Sequence, residues 1–191
     1  MAQYVLLDRD GVINRKAGDG YVTSWHAFEF LPGVLEALHL LKVNGYKALV
    51  ISNQAAVGRK IMTMATLSDI TRRFLQHVQK NGGQIHGVYY CPHTRDDDCD
   101  CRKPRPGLFL KAQREHRFAF ADTFFIGDSE SDAVAAQSVG CPFIRLLTND
   151  TREVDGRSDS HEAIFPTLLK AVNFILASRE SRNRRVELVA Q

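Results

Sequence analysis

Asp8 and Asp10 stand two apart at the end of an apolar run, in LLDRDGVIN. Residues at that spacing in extended chain point to the same side, so both carboxylates converge on one substrate while Arg9 faces elsewhere. Gly11 then permits a tight turn that brings its N–H close to a ligand. Neighbouring carboxylates held in different protonation states can divide two chemical roles within one site; the competing explanation of a lone DxD pair is an acidic surface turn. A second apolar run, YKALVISNQ, ends in Ser52 and Asn53, a hydroxyl and an amide suited to phosphate oxygens, although such residues also punctuate ordinary loops. A later run, FFIGDSESD, delivers Asp128 as a third carboxylate, with Asp132 four residues on. Should Asp128 cap the helix that follows, the two share a face near its N-terminus, and capping alone would account for both. Lys103, in CRKPRPG, precedes two prolines and a helix start, from which its ammonium reaches the same edge; a solvated loop lysine is the plainer alternative.

Cys91, His93, Cys99 and Cys101 form a CxHx₅CxC array. Three thiolates and an imidazole are a closed, tetrahedral set of the structural zinc type. Disulfide pairing would leave one of the three cysteines odd and the histidine unexplained. The intervening TRDDD offers little apolar material to fold upon, so zinc would substitute for a core there. Lys103 lies two residues beyond the last ligand, so zinc is expected to position Arg102 and Lys103 without touching the reaction. Cys141, before Pro142, reads as a buried apolar residue and not as a ligand.

The elements that must carry these groups alternate short apolar runs with helix-period segments, the pattern of an α/β protein with a mostly parallel sheet. Strands are expected at Tyr4 to Leu7, Tyr46 to Ile51, Gly87 to Tyr90, Thr123 to Ile126 and Pro142 to Leu146. Helices are expected at Gly33 to Val43, Thr66 to Gln79, Pro106 to Glu115, Glu130 to Ser138 and Ala163 to about Leu176, with Gly45, Gly82 and Gly140 as helix stops. In such a sheet all the carboxylates fall at the carboxyl edge of the strands, where ligands bind. The polar stretch Thr148 to Asp159 reads as a loop. The 191 residues, 44% hydrophobic and 25% charged, suit one domain over 1–178 and exclude disorder, collagen and coiled coil, with 179–191 as a basic tail. A net charge of +3 is too mild to diagnose a nucleic-acid or membrane partner, and no run approaches the ~20 apolar residues of a membrane span. The N-terminus carries no export signal, which points to a reducing cytoplasm. A solvated tail is the expected state of the arginines near the C-terminus, and a monomer is the default.

Taken in order, DxDG after the first strand, Ser52 after the second, Lys103 before a helix and GDxxxD after the fourth resemble the haloacid dehalogenase superfamily of phosphatases, over residues 4 to 147 or so. GYV at Tyr21, SNQ at Ser52 and CPHTRDDDCDCRKP narrow the resemblance to the branch that holds heptose bisphosphate phosphatases and histidinol-phosphate phosphatases. It implies a Rossmann-like three-layer sandwich, Asp8 as the nucleophile giving an aspartyl-phosphate, and Asp10 as the acid/base. It implies catalytic Mg²⁺ on Asp8, Asp128 and the backbone carbonyl of Asp10, besides structural Zn²⁺. Ser52, Arg102 and Lys103 match the groups that hold the transferring phosphoryl, and Asp132 supports them from behind. Gly11, Asp19, Gly20, Tyr21, Asn53 and Gln54 fall where this branch meets substrate. No insertion is long enough for a cap domain, so the pocket should be open. The GDGYV and FEFLPGVLEAL stretches look more like the heptose branch, which implies a small phosphorylated sugar as substrate and a place in surface-polysaccharide precursor synthesis. SNQAA in place of the sugar branch's usual TNQSG, and Lys60 where glycine is common, depart from it. Histidinol phosphate is the alternative substrate, and a non-enzymatic phosphoacceptor domain the alternative class; Asp10, a would-be acid for a leaving group, argues against the latter.

Overall fold

The computed structural model describes residues 2–18, 20–147 and 163–189, with side chains in the last helix as far as Arg179. Asp19 and the expected loop at Thr148 to Asp159 lie outside the described residues. Six parallel strands form one sheet in the order β3-β2-β1-β4-β5-β6: β1 Gln3–Leu7, β2 Tyr46–Asn53, β3 Ile85–Cys91, β4 Phe124–Gly127, β5 Phe143–Leu146 and β6 Ala163–Phe165. Tyr4 to Leu7 are all buried, as befits a central parallel strand covered on both faces. Leu7 pairs with Val50 on one side and with Ile126 on the other.

The α-helices among the described residues are α1 Val34–Val43, α2 Ala55–Gly58, α3 Met64–Lys80, α4 Gly107–His116, α5 Glu130–Ser138 and α6 Leu168–Val189. Two apolar clusters define the layers. Leu38, Leu41, Phe74, Val78, Val172 and Ile175, from α1, α3 and α6, pack on one face of the sheet. Leu108, Phe109, Ala112, Ala135 and Ala136, from α4 and α5, pack on the other. Thr63 caps α3, its hydroxyl accepting from the Thr66 N–H at 3.1 Å. Gly45, Gly82 and Gly140 follow α1, α3 and α5 with positive φ, as helix stops do.

Three expectations change. The segment from Ala163 opens with an edge strand, β6, and the helix begins only at Leu168, then continues to Val189, past the expected end at Leu176. Three residues of strand are too short for periodicity to register. Asp128 does not cap α5. Ser129 does, in a capping box with Asp132, the reciprocal pattern that a Ser followed three residues later by an acid favours. Arg9 does not face elsewhere, because its long side chain folds back onto the carboxylate of Asp10. Among the described residues there is no separate cap domain, and no helix is long and apolar enough to cross a membrane.

Candidate active site and metal centres

The strand order reverses at β1: the chain moves outward to β2 and β3, then returns to β4 on the opposite side. Such a switch point opens a crevice beyond the carboxyl ends of the two central strands, and Asp8 and Asp128 stand just after β1 and β4. A cleft of about 320 Å³ lies there, lined by Asp8, Asp10, Lys16, Gly20, Tyr21, Ser52, Asn53, Gln54, Arg102, Lys103, Asp128 and Asp132 among others. A larger cavity of about 520 Å³, at the amino ends of the strands, lies away from all of these groups.

Lys103 organises the floor of the cleft. Its ammonium is almost wholly buried, 3.1 Å from Asp8 and 2.6 Å from Asp132, and it donates to the Ile51 carbonyl at 2.9 Å. Burial alone would push Lys103 down, but the two carboxylates outweigh it and hold its pKa above the usual value. Asp132 is correspondingly lowered, Lys103 overcoming its burial. Burial pushes Asp8 up to about 6, against the pull of Lys103 and of a hydrogen bond from Ser52. The backbone of Lys103 is fixed by Asn53, whose side-chain amide donates to its carbonyl at 3.1 Å and accepts from its N–H at 3.0 Å. Asn53 therefore borders the cleft with its amide engaged in positioning Lys103.

Asp10 sits in a different environment, partly exposed and held by three side chains. Arg9 donates to both of its oxygens at 3.0 Å, Asn14 to Oδ1 at 2.8 Å and Gln54 to Oδ2 at 2.7 Å. Gln54 also donates to Ser52 Oγ at 3.2 Å, linking the end of β2 to the end of β1. Arg9 and Asn14 escape a reading based on strand alternation, because the chain turns at Gly11 and brings Asn14 back against Asp10.

Asp128 has one oxygen 2.6 Å from the Lys16 ammonium, while its buried Oδ1 has no hydrogen-bond partner. Burial raises its pKa, with Lys16 opposing. Gly11, at φ 89°, is required here: a Cβ would fall 1.8 Å from Asp128 Oδ2. Gly127 is equally constrained, since its Cβ would meet Asp132 at 2.6 Å. One carboxylate oxygen each from Asp8, Asp128 and Asp132 lie within 4.8 Å of one another. With Asp132 engaged by Lys103 and Asp128 Oδ1 unpartnered, Asp8 and Asp128 fit a hard, oxygen-liganded cation.

The second cluster is at the end of β3. Cys91 Sγ lies 3.6 Å from Cys99 and 3.1 Å from Cys101, which are 3.5 Å apart; His93 Nδ1 is 3.7 Å from Cys91 and 3.2 Å from Cys101. These separations are far beyond the roughly 2.05 Å of a disulfide, all the cysteines are free, and the donor set suits zinc. Arg105 straps the loop by donating to the carbonyls of Asp98 and Cys99 and pairing with the Asp98 carboxylate. Arg102 donates to the His93 carbonyl at 3.1 Å and also lines the cleft, so the cluster and the cleft share a wall. Cys141 is buried, away from both clusters, with its thiol donating to the Thr123 carbonyl at 2.9 Å.

A sheet that reverses at β1, with Asp8 and Asp10 beyond its first strand, Ser52 beyond the second, Asp128 beyond the fourth and Lys103 between them, defines the chain as a haloacid dehalogenase-like hydrolase; a family model described as HAD-hydrolase-like matches residues 100–171. Similarity extends over most of the length. A D-glycero-β-D-manno-heptose-1,7-bisphosphate 7-phosphatase of Helicobacter pylori J99 is 37% identical over 147 residues, covering 76% of this chain and 83% of the relative. One from Neisseria meningitidis serogroup A is 32% identical over 176 residues, 90% of this chain and 94% of the relative. The crystal structure of a D,D-heptose 1,7-bisphosphate phosphatase from B. bronchiseptica, complexed with magnesium and phosphate, superposes with a TM-score of 0.84 at 29% identity, covering 92% of this chain and 99% of that one. The chain belongs to the heptose-1,7-bisphosphate 7-phosphatase family.

Proposed function

We propose that this chain removes the 7-phosphate of D-glycero-β-D-manno-heptose 1,7-bisphosphate, with Asp8 as the nucleophile. The observation that carries the reading is the difference between two neighbouring carboxylates: Asp8 is buried on the Lys103 ammonium, whereas Asp10 stands partly exposed at the cleft wall. Asp8 attacks phosphorus in line, forming an aspartyl-phosphate as the bond to the sugar oxygen breaks. Asp10 gives the leaving alkoxide its proton, then takes one from the water that cleaves the aspartyl-phosphate, which frees inorganic phosphate and restores Asp8. Lys103 and Ser52 hold the transferring phosphoryl, and Arg102 reaches in from the zinc loop. Asp8, Asp128 and the backbone carbonyl of Asp10 would hold Mg²⁺, which when bound offsets the repulsion between carboxylate and phosphate. Gly20 and Tyr21, which line the same cleft as Arg102, would meet the sugar.

Asp10→Asn tests the division of roles. A sugar alkoxide needs a proton to depart and a nitrophenolate does not, so release of the leaving group in the first turnover should fall by about 10²–10⁴-fold for the heptose bisphosphate and far less for p-nitrophenyl phosphate, while hydrolysis of the aspartyl-phosphate slows for both. Equal first-turnover losses on the two substrates would remove Asp10 from the acid role. The substrate assignment is tested by initial rates on heptose bisphosphate and on histidinol phosphate with Mg²⁺ present. A preference for histidinol phosphate would overturn it.

Zinc on Cys91, His93, Cys99 and Cys101 would fix the wall that carries Arg102 and leads into Lys103. Chelation that strips zinc, followed by addition of Mg²⁺, should lower kcat at least tenfold, with the zinc content of the same samples measured by atomic absorption. Full activity in the zinc-free protein would end this account of the loop.

A further inference from the structure

Lys16 belongs to no catalytic step described above, yet its ammonium is 2.6 Å from Asp128 Oδ2. Asp128 is one of the two carboxylates best placed for Mg²⁺, so the ammonium on Oδ2 and a metal at the unpartnered Oδ1 compete for the charge of one carboxylate. The charges around it explain why a cation is held there. Asp8, Asp128 and Asp132 gather three negative charges in a small space, and buried Lys103 supplies one positive charge to Asp8 and Asp132. Lys16 supplies the second, to the one carboxylate that Lys103 does not pair with. A divalent ion in its place would bring the cluster to neutrality.

The local structure lets Lys16 leave. Arg15, immediately before it, is anchored by its N–H to the Glu29 carbonyl at 2.8 Å and by its guanidinium to the Glu29 carboxylate at 3.1 Å. Lys16 follows that anchor at the start of a short loop through Ala17 and Gly18, with its side chain nearly half exposed. Lys16 itself lines the cleft, beside Ala17, Gly18, Gly20 and Tyr21. Gly11 is again the enabling residue: a Cβ there would meet Lys16 Cε at 2.8 Å as well as Asp128.

We propose that Lys16 is a built-in placeholder cation that occupies Asp128 until Mg²⁺ displaces it, and that the freed ammonium then meets a phosphate of the incoming substrate. The proposal rests on the reading of Asp128 as a metal ligand. Metal entry and anion binding are thereby coupled through one side chain, because the group that leaves the carboxylate becomes a counter-charge for the ligand.

The test is calorimetric titration of the metal-free full chain with Mg²⁺, then of the Mg²⁺-loaded chain with inorganic phosphate, in wild type, Lys16→Met and Arg15→Gln. Removing a competitor of surface ion-pair strength should tighten Mg²⁺ binding about three- to fivefold in Lys16→Met. Phosphate binding to the loaded protein should weaken by about the same factor. Arg15→Gln removes a neighbouring charge that does not reach the cleft, and should change neither by more than about twofold. Unchanged Mg²⁺ affinity in Lys16→Met, or a gain equalled by Arg15→Gln, overturns the placeholder role; unchanged phosphate affinity overturns the hand-over. Asp128→Asn runs alongside: if it leaves Mg²⁺ binding intact, the metal reading of Asp128 fails and takes the proposal with it, whereas failure in the Lys16 arms alone leaves that reading standing.

Discussion

Asp8→Asn should abolish turnover, by about 10⁴–10⁶-fold in kcat, while leaving the protein at least as stable as wild type. The size of the kinetic loss follows from the proposed role of Asp8, since the substitution removes the atom assigned to bond phosphorus and the remaining residues cannot replace it. The stability half follows from the surroundings. Burial pushes the Asp8 carboxyl up to about 6, so the folded protein holds this charge against its desolvation cost and a neutral amide of the same shape relieves it. Lys103 still has Asp132 at 2.6 Å and the Ile51 carbonyl at 2.9 Å. Steady-state phosphate release together with thermal unfolding in the same buffer checks both halves. Retained turnover contradicts the nucleophile assignment, and a large fall in melting temperature contradicts the electrostatic account of the cluster.

Lys103→Met should have the opposite signature, losing both activity and stability. Without the ammonium, Asp8 and Asp132 face one another in a buried site, and breaking a buried pair by deleting one partner typically costs about 3–5 kcal/mol. For a chain of this size that corresponds to a fall of about 10 °C in melting temperature. Adding Asp132→Asn should recover a good part of the stability and none of the activity, since it relieves the repulsion without restoring a positive charge for the phosphoryl. Thermal unfolding of the single and double variants decides the matter. A single variant as stable as wild type would show that Lys103 does not neutralise the cluster.

The sequence announces the groups that end strands and conceals the groups that meet across turns. Asp8, Ser52 and Asp128 are legible because each closes a continuous apolar run, and parallel strands deliver their ends to one edge. The zinc-type array is legible because its four donors lie within eleven residues. The contact between Lys103 and Asp132 is not, since it depends on how α4 and α5 pack against one sheet face. Arg9 gives the clearest case of failure: alternation sends it away from Asp10, yet a side chain long enough to curl back outweighs the direction of its Cβ once β1 has ended. Lys16 carries no signal in its own neighbourhood, because its partner lies 112 residues further along the chain. β6 is missed because three residues cannot establish a period.

The central claim is that Asp8 takes the phosphoryl group from one end of a bisphosphate, and phosphorus NMR of D-glycero-β-D-manno-heptose 1,7-bisphosphate during turnover with Mg²⁺ tests it most directly. The prediction is that the 7-phosphate resonance disappears as inorganic phosphate grows, while the 1-phosphate resonance persists, and that EDTA halts the change. Loss of the 1-phosphate, or no release from this compound under conditions where histidinol phosphate is hydrolysed, would contradict the account.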